Sequence, residues 1–184
     1  MELSGVSLLA LASEHCAYCH GSGTRARGSR MNVCGCVYRR VFRACCRKYC
    51  ELRSCTGEFA RRVTWDRTSH HEEKRVLTAG FNAAEFLADF EIVARRALAD
   101  DPLGYAVFRY RCLCRLDWET CLPRISHDLG RRLDRGSFFH VVYRTEQKLG
   151  RDFLALRPYS LFPPQYFSGW YVNQPALHRG QAAA

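Results

Sequence analysis

Four cysteines near the start of the chain place the strongest constraint on how it can fold. Cys16 and Cys19 are separated by two residues and Cys34 and Cys36 by one, with a basic loop rich in Gly, Arg and Ser between the pairs. Two close thiol pairs can converge on one ion and complete the tetrahedral coordination of a structural Zn²⁺. The sequence therefore predicts a zinc site at these four residues, in preference to free or disulfide-bonded thiols.

Glycines accompany both thiol pairs. Gly21 and Gly23 follow the first pair, where a knuckle turn often needs a positive φ that only glycine adopts without strain. Gly35 lies between the second pair, and we expect the same tight geometry there. The glycine positions therefore support a compact metal-binding knuckle.

A second group of cysteines leaves two interpretations open. Cys46 and Cys50 lie four residues apart and could share a helical face as ligands of a second ion, with Cys45 and Cys55 nearby. A helix rarely supplies all the ligands of a tetrahedral site, so the sequence favours buried or spare thiols.

The charge of the chain points to an anionic partner. Lys and Arg number 28 against 18 acidic residues among 184, a formal charge of +10, and apolar residues make up 47% of the chain. Such a composition predicts a globular fold that binds nucleic acid or, less commonly, an anionic membrane surface. An arginine-rich host proteome would also raise the charge, so the excess is not specific by itself.

The sequence also predicts a compartment. Its first twelve residues lack the basic region of an export signal, and no apolar run approaches the length that spans a bilayer. Paired cysteines without an export signal favour metal over disulfides. We therefore expect a cytoplasmic protein that does not bind membranes.

The pattern along the chain predicts a mainly α fold in four parts. Residues 1–56 form a zinc-binding module, with a basic helix after Cys36 whose arginines either contact phosphates or are simply solvated. Residues 57–80 form a polar linker, and residues 81–156 a helical domain. Residues 157–184 form an arm rich in aromatic residues and proline, which either packs over the helices or docks on a partner such as RNA polymerase.

Capping signals predict the helices of the third part. Asn82 caps a helix that runs through Leu98, and Asp101 with Pro102 begins another that runs to about Leu116. Pro123 opens a short helix, which Gly130 closes. Asp134 caps a longer one.

The helix after Asp134 carries two distinct faces. Phe138, Val142, Thr145 and Leu149 form an inward stripe at spacings of three and four residues. A short helix, a turn and a longer helix with a basic outer face are the layout of a DNA-binding helix-turn-helix. The residues left for that outer face are Arg135, Ser137, Phe139, His140, Tyr143, Arg144 and Lys148.

This segment resembles the recognition helix of region 4 of bacterial sigma-70-type factors. The matching residues are Leu133, Asp134, Arg135, Gly136, Ser137, Phe138, Arg144, Lys148 and Leu149. The resemblance covers roughly 45 residues; Arg131 and Arg132 lengthen the turn, and sigma region 2 is missing. It implies promoter-type DNA binding, with bases near Arg135, Ser137, Phe139 and His140 and phosphates near Arg144 and Lys148.

Two further resemblances are narrower. Residues 16–23 are similar to one Cys-x-x-Cys-x-Gly-x-Gly half-repeat of the DnaJ cysteine-rich domain, which uses several such repeats, so no chaperone role is carried over. A zinc knuckle with a helix-turn-helix in a small basic protein also resembles phage Q-type antiterminators, which bind DNA and RNA polymerase. The second resemblance rests on architecture alone.

These observations predict a zinc-stabilised, DNA-binding transcription regulator that is not an enzyme. The chain lacks a nucleophile elbow, a phosphate-binding glycine loop and a metallohydrolase histidine pair. Four thiols would also close a zinc site to substrate. The alternative is a non-catalytic interaction or assembly module with a structural zinc site. The sequence leaves the oligomeric state open.

Overall fold

The computed structural model describes residues 5–63, 83–156 and 160–162, and among them the side chains of residues 8–54, 84–156 and 160–162. Helices dominate, which confirms the predicted mainly α class. In chain order the elements are α1 (Gly5–Leu11), β1 (Thr24–Arg27), β2 (Arg30–Val33), α2 (Gly35–Val63), α3 (Ala83–Ala97), α4 (Pro102–Val107), a π-helical segment (Phe108–Leu113), α5 (Trp118–Leu129) and α6 (Arg135–Ala155).

The two longest helices, α2 and α6, pack closely against each other. A Cβ atom added at Gly150 of α6 would lie 1.9 Å from the carbonyl oxygen of Tyr38 in α2, so only glycine fits at this crossing. Phe42 of α2 and Phe153 of α6 stack with their ring centroids 6.1 Å apart, and Phe90 of α3 lies 4.9 Å from Phe153. Residues of the predicted zinc module and of the predicted helical domain therefore share one core.

A second apolar cluster lies under the first half of α6. Phe138 is fully buried there with Ile125 and Cys121 of α5 and Val107 of α4. The inward stripe predicted for α6 is confirmed, because Phe138, Val142, Thr145 and Leu149 are all buried. This cluster positions α5 against the N-terminal half of α6.

Several predicted helix ends are confirmed. The Asp101 carboxylate accepts a hydrogen bond from the backbone N–H of Gly104 at 2.9 Å, and Pro102 is the first residue of α4. Asp134 caps α6 by accepting the N–H of Ser137 at 3.0 Å. Gly130 ends α5 with a φ of 58°. The capping chemistry of the sequence thus fixes these boundaries.

Other boundaries differ from the prediction. Asp117 caps α5 by accepting the N–H of Thr120 at 2.7 Å, so α5 begins at Trp118 and Pro123 lies inside it. The helix predicted to reach Leu116 becomes π-helical at Phe108 and ends at Leu113. Arg115 follows with a φ of 55°, which stops any helix.

The predicted linker is wrong at its start. α2 continues to Val63, so residues 57–63 are helical. Most of these seven residues are compatible with a helix, and the polar composition that suggested a linker does not oppose one. The predicted cap at Asn82 and the rest of the linker lie outside the described residues.

The first described residues of the predicted arm return to the core. Leu161 and Phe162 are buried, and the backbone N–H of Leu161 donates to the carbonyl of Phe153 at 3.0 Å. The Ser160 hydroxyl donates to the same carbonyl at 3.2 Å. Residues 157–159 and 163–184 lie outside the described part of the chain.

The close helix crossing at Gly150 predicts that a Gly→Ala change there destabilises the protein, although this change usually stabilises a helix. In an exposed helix this change stabilises by about 1 kcal/mol. Here the added methyl would overlap backbone atoms of Tyr38, so we expect Gly150→Ala to lower the free energy of unfolding by about 2 kcal/mol or more. Urea denaturation of the two proteins measures the difference, and a gain in stability would contradict the described packing.

Candidate metal centre and the exposed end of helix α6

The four predicted cysteine ligands come together at the start of α2. The sulfur atoms of Cys16 and Cys34 are 3.7 Å apart and those of Cys19 and Cys36 are 3.5 Å apart. All four sulfur atoms lie within 4.8 Å of one another. Such a cluster could hold a metal ion.

The segment between the two thiol pairs is a β-hairpin, where the sequence predicted a loop. β1 and β2 pair antiparallel, with Arg27 opposite Arg30 across a two-residue turn. Gly28 opens that turn with a φ of 63°, as the tight turns of hairpins require. The hairpin brings Cys34 back to the first pair.

Two of the predicted glycine roles are confirmed and one is wrong. Gly21 and Gly23 have φ values of 86° and 75°. A Cβ at Gly23 would also lie 2.6 Å from the carbonyl oxygen of Leu8, so α1 approaches closely there. Gly35 is the first residue of α2 and has no positive φ; its missing side chain makes room for Gln147 of α6 instead.

The environment of the thiols separates their pKa values. Burial raises the pKa of Cys16, but hydrogen bonds from the backbone amides of Tyr18 and Cys19 outweigh it and lower the pKa to about 7. Burial raises the pKa values of Cys34 and Cys36. A bound metal ion would lower all of these pKa values, because it displaces the thiol protons.

The other cysteines form no second cluster of this kind within the described residues. Cys45 is buried, and its thiol points to the carbonyl of Leu161 at 3.6 Å. Cys46 contacts the carbonyl of Cys112 at 3.7 Å. Packing and weak hydrogen bonds therefore explain the positions of these two thiols. The side chain of Cys55 lies outside the described residues.

The N-terminal residues of the outer face of α6 are exposed, with Phe139 half-buried. The Arg135 guanidinium lies 4.8 Å from the Trp118 ring centroid, and Phe139 packs beside the same ring at 6.3 Å. The Ser137 hydroxyl donates to Asp134 at 2.6 Å, which lowers the pKa of that carboxyl and leaves the hydroxyl engaged in capping. His140 is exposed.

Farther along α6, the predicted contact residues are engaged within the molecule. Arg144 donates to the Asp101 carboxylate at 2.8 Å. The Arg39 guanidinium covers the Tyr143 ring at 3.6 Å from its centroid, although Tyr143 is still 46% exposed. Lys148 is half-buried. On the outer face of α6, the part most open to a ligand is therefore the first two turns.

A groove of about 710 Å³ adjoins these turns. Arg131, His140 and Arg144 line it together with Asp101, which pairs with Arg144, so its lining holds more basic than acidic side chains. Leu129 at the end of α5 and Leu133 just before α6 add apolar side chains to its lining. Its lining could accommodate an anionic ligand.

Glu146 is a residue that the sequence analysis missed. This residue of α6 is only 6% exposed, and its carboxylate accepts hydrogen bonds from Arg39 at 2.7 Å and from Arg43 at 3.0 and 3.1 Å. Both arginines belong to the basic face predicted on α2. They are thus neither free phosphate contacts nor simply solvated, because they join α2 to α6.

Removing the charge of Glu146 should loosen this junction. We expect Glu146→Gln to lower the free energy of unfolding by about 1–3 kcal/mol, since Arg39 would lose its charged partner in a partly buried position. Glu51→Gln, an exposed change on α2, provides the control. Thermal unfolding of both variants measures the effect, and equal stabilities would contradict the role of Glu146.

Within the described residues, no helix combines the length and the hydropathy needed to cross a bilayer. Comparisons of the chain with protein-family models, with curated proteins and with solved structures found no match. Any inference about function must accordingly start from the geometry of the site.

Proposed function

We propose that the protein is a zinc-stabilised, DNA-binding transcription regulator that uses α5 and α6 as a helix-turn-helix. The observation that carries this proposal is the exposed, basic start of α6. Arg131, Arg135 and His140 lie at or beside its first two turns. A helix presented in this way can enter the major groove of DNA with its N-terminal residues toward the bases.

The geometry of the thiol cluster supports zinc as its metal. Four ligands about 2.3 Å from a tetrahedral Zn²⁺ are separated from one another by about 3.8 Å. The Cys16–Cys34 and Cys19–Cys36 separations of 3.7 and 3.5 Å are close to this value. Cys34 and Cys36 also flank the N-terminus of α2, where the helix dipole favours negative charge.

Zinc would stabilise the hairpin rather than take part in chemistry. None of the residues of β1 and β2 is buried, so the hairpin has no apolar core of its own. A segment with so little buried surface depends on the metal for its fold. Four protein ligands leave no position open for a substrate, which agrees with a binding protein.

The internal contacts of Ser137 and Arg144 alter which residues of α6 we propose to bind DNA. Arg131, Arg135 and His140 are the candidates for base and nearby phosphate contacts. Ser137 acts first as part of the helix cap, and Arg144 first holds Asp101 at the start of α4. Tyr143 and Lys148 lie at the margin of the proposed DNA-binding surface. DNA would therefore meet α6 mainly through its first two turns.

The metal can be tested with Co²⁺ as a spectroscopic probe. We expect one Co²⁺ per chain, with the thiolate charge-transfer bands and the tetrahedral d–d bands of a four-sulfur site, and displacement by Zn²⁺. Cys19→Ser should weaken Zn²⁺ binding by about two orders of magnitude or more, because it removes a thiolate ligand.

Cys114→Ser is the matched control, because Cys114 is an exposed thiol outside the cluster. It should bind Co²⁺ and Zn²⁺ like the parent protein. Octahedral Co²⁺ spectra, or equal Zn²⁺ affinity in the two serine variants, would exclude the proposed four-thiol zinc site.

DNA recognition can be tested by selecting bound duplexes from a random library with the zinc-loaded protein. An Arg131→Ala, Arg135→Ala double variant should lose the enriched motif and bind it at least about tenfold more weakly, since each lost base contact costs about 1–3 kcal/mol. An Arg95→Ala, Arg96→Ala variant of α3 loses the same charge at exposed positions and serves as the control.

Two results would remove the helix-turn-helix proposal. One is a selection that yields no motif, and the other is an equal loss of affinity in both double variants, which would indicate general charge attraction. Copurification of one stoichiometric protein partner together with weak, sequence-independent DNA binding would favour an interaction module held together by zinc.

A further inference from the structure

The β-hairpin carries an unusual concentration of charge on one face. In the antiparallel register, Arg25 lies opposite Asn32 and Arg27 lies opposite Arg30. Directly paired residues, and residues two apart on one strand, share the same face of a hairpin. That face therefore consists of three arginines and one asparagine, all of them exposed.

This arrangement costs stability within the protein itself. Like charges directly opposite each other, as at Arg27 and Arg30, repel and weaken strand pairing. None of the three arginines forms an ion pair with any described residue. An anionic ligand would relieve this repulsion, and phosphate groups are the anions that arginine binds best.

An aromatic ring lies beside the charged face. Tyr18, between the first two cysteines, is 69% exposed, and the Arg25 guanidinium lies 4.9 Å from its ring centroid. Tyr18 lies between Cys16 and Cys19 of the thiol cluster, so a bound metal ion would hold the backbone on both sides of the ring. An exposed ring with adjacent guanidinium groups can stack an unpaired base while the arginines hold its phosphates.

We propose that the hairpin and Tyr18 form a second nucleic-acid site, which binds a single strand and is separate from α6. Arg25, Arg27 and Arg30 contact the phosphates, and one unstacked base lies on Tyr18. The base must be unpaired, because the faces of bases within a duplex are already stacked on their neighbours. RNA and single-stranded DNA share this chemistry, since both present phosphates and unpaired bases.

Fluorescence anisotropy with labelled U15 RNA, dT15 DNA and a 15-base-pair duplex tests the proposal on the full zinc-loaded chain. Binding of either single strand should weaken about tenfold in Tyr18→Ala and stay near the parent value in Tyr18→Phe, which keeps the ring. In the Arg25→Ala, Arg27→Ala, Arg30→Ala variant, the slope of log affinity against log salt should fall by about 2, because three phosphate contacts are lost.

Two controls separate this site from general charge and from α6. An Arg95→Ala, Arg96→Ala, Arg109→Ala variant removes the same charge from exposed positions elsewhere and should keep the parent's slope. The Arg131→Ala, Arg135→Ala variant should retain single-strand binding within about twofold. The relative affinities for U15 and dT15 then tell which kind of strand is preferred.

Three results would overturn the proposal. Tyr18→Ala could bind single strands as tightly as the parent protein, or the control triple variant could lose as much affinity as the hairpin variant. Tighter binding of the duplex than of both single strands would also contradict it. Circular dichroism and zinc content of each variant confirm that the fold is retained, which is expected because all the altered side chains are exposed.

Discussion

The close crossing of α2 and α6 at Gly150 is the constraint on which the rest of the structure depends. It sets the separation of the two longest helices, because the backbone of Tyr38 occupies the space that any larger side chain would need. Glu146, bound by Arg39 and Arg43, fixes how the helices are turned toward each other. The thiol cluster at the start of α2 and the basic start of α6 are thereby held on one framework.

Two different sources of stability act in the two parts of this framework. Aromatic and aliphatic side chains from α2, α3 and α6 form a core that needs no metal. The hairpin has no fully buried residue, and of its residues only Val33 packs against this core, so under our proposal a metal ion on the four thiols would order it. Loss of the metal should thus affect the hairpin and Tyr18 first and the start of α6 less.

Local chemistry made part of this structure predictable. The thiol cluster follows from cysteine spacing, the starts of α4 and α6 from their capping aspartates, and the buried stripe of α6 from its period. Long-range partners were not predictable. Nothing near Glu146 in the sequence marks it as a buried partner, because the arginines that bind it lie more than 100 residues away. The hairpin was missed because each strand has only four residues, so the alternation of Ala26, Met31 and Val33 with polar residues is short.

An NMR titration of the ¹⁵N-labelled, zinc-loaded protein with a selected duplex tests the central proposal most directly, since it locates the contact without any substitution. The proposal predicts that the largest chemical-shift changes fall in residues 130–144, in the turn after α5 and the first turns of α6. Residues of α3 should keep their shifts. Changes confined to other parts of the chain, with residues 130–144 unaffected, would contradict the proposal that α6 reads DNA.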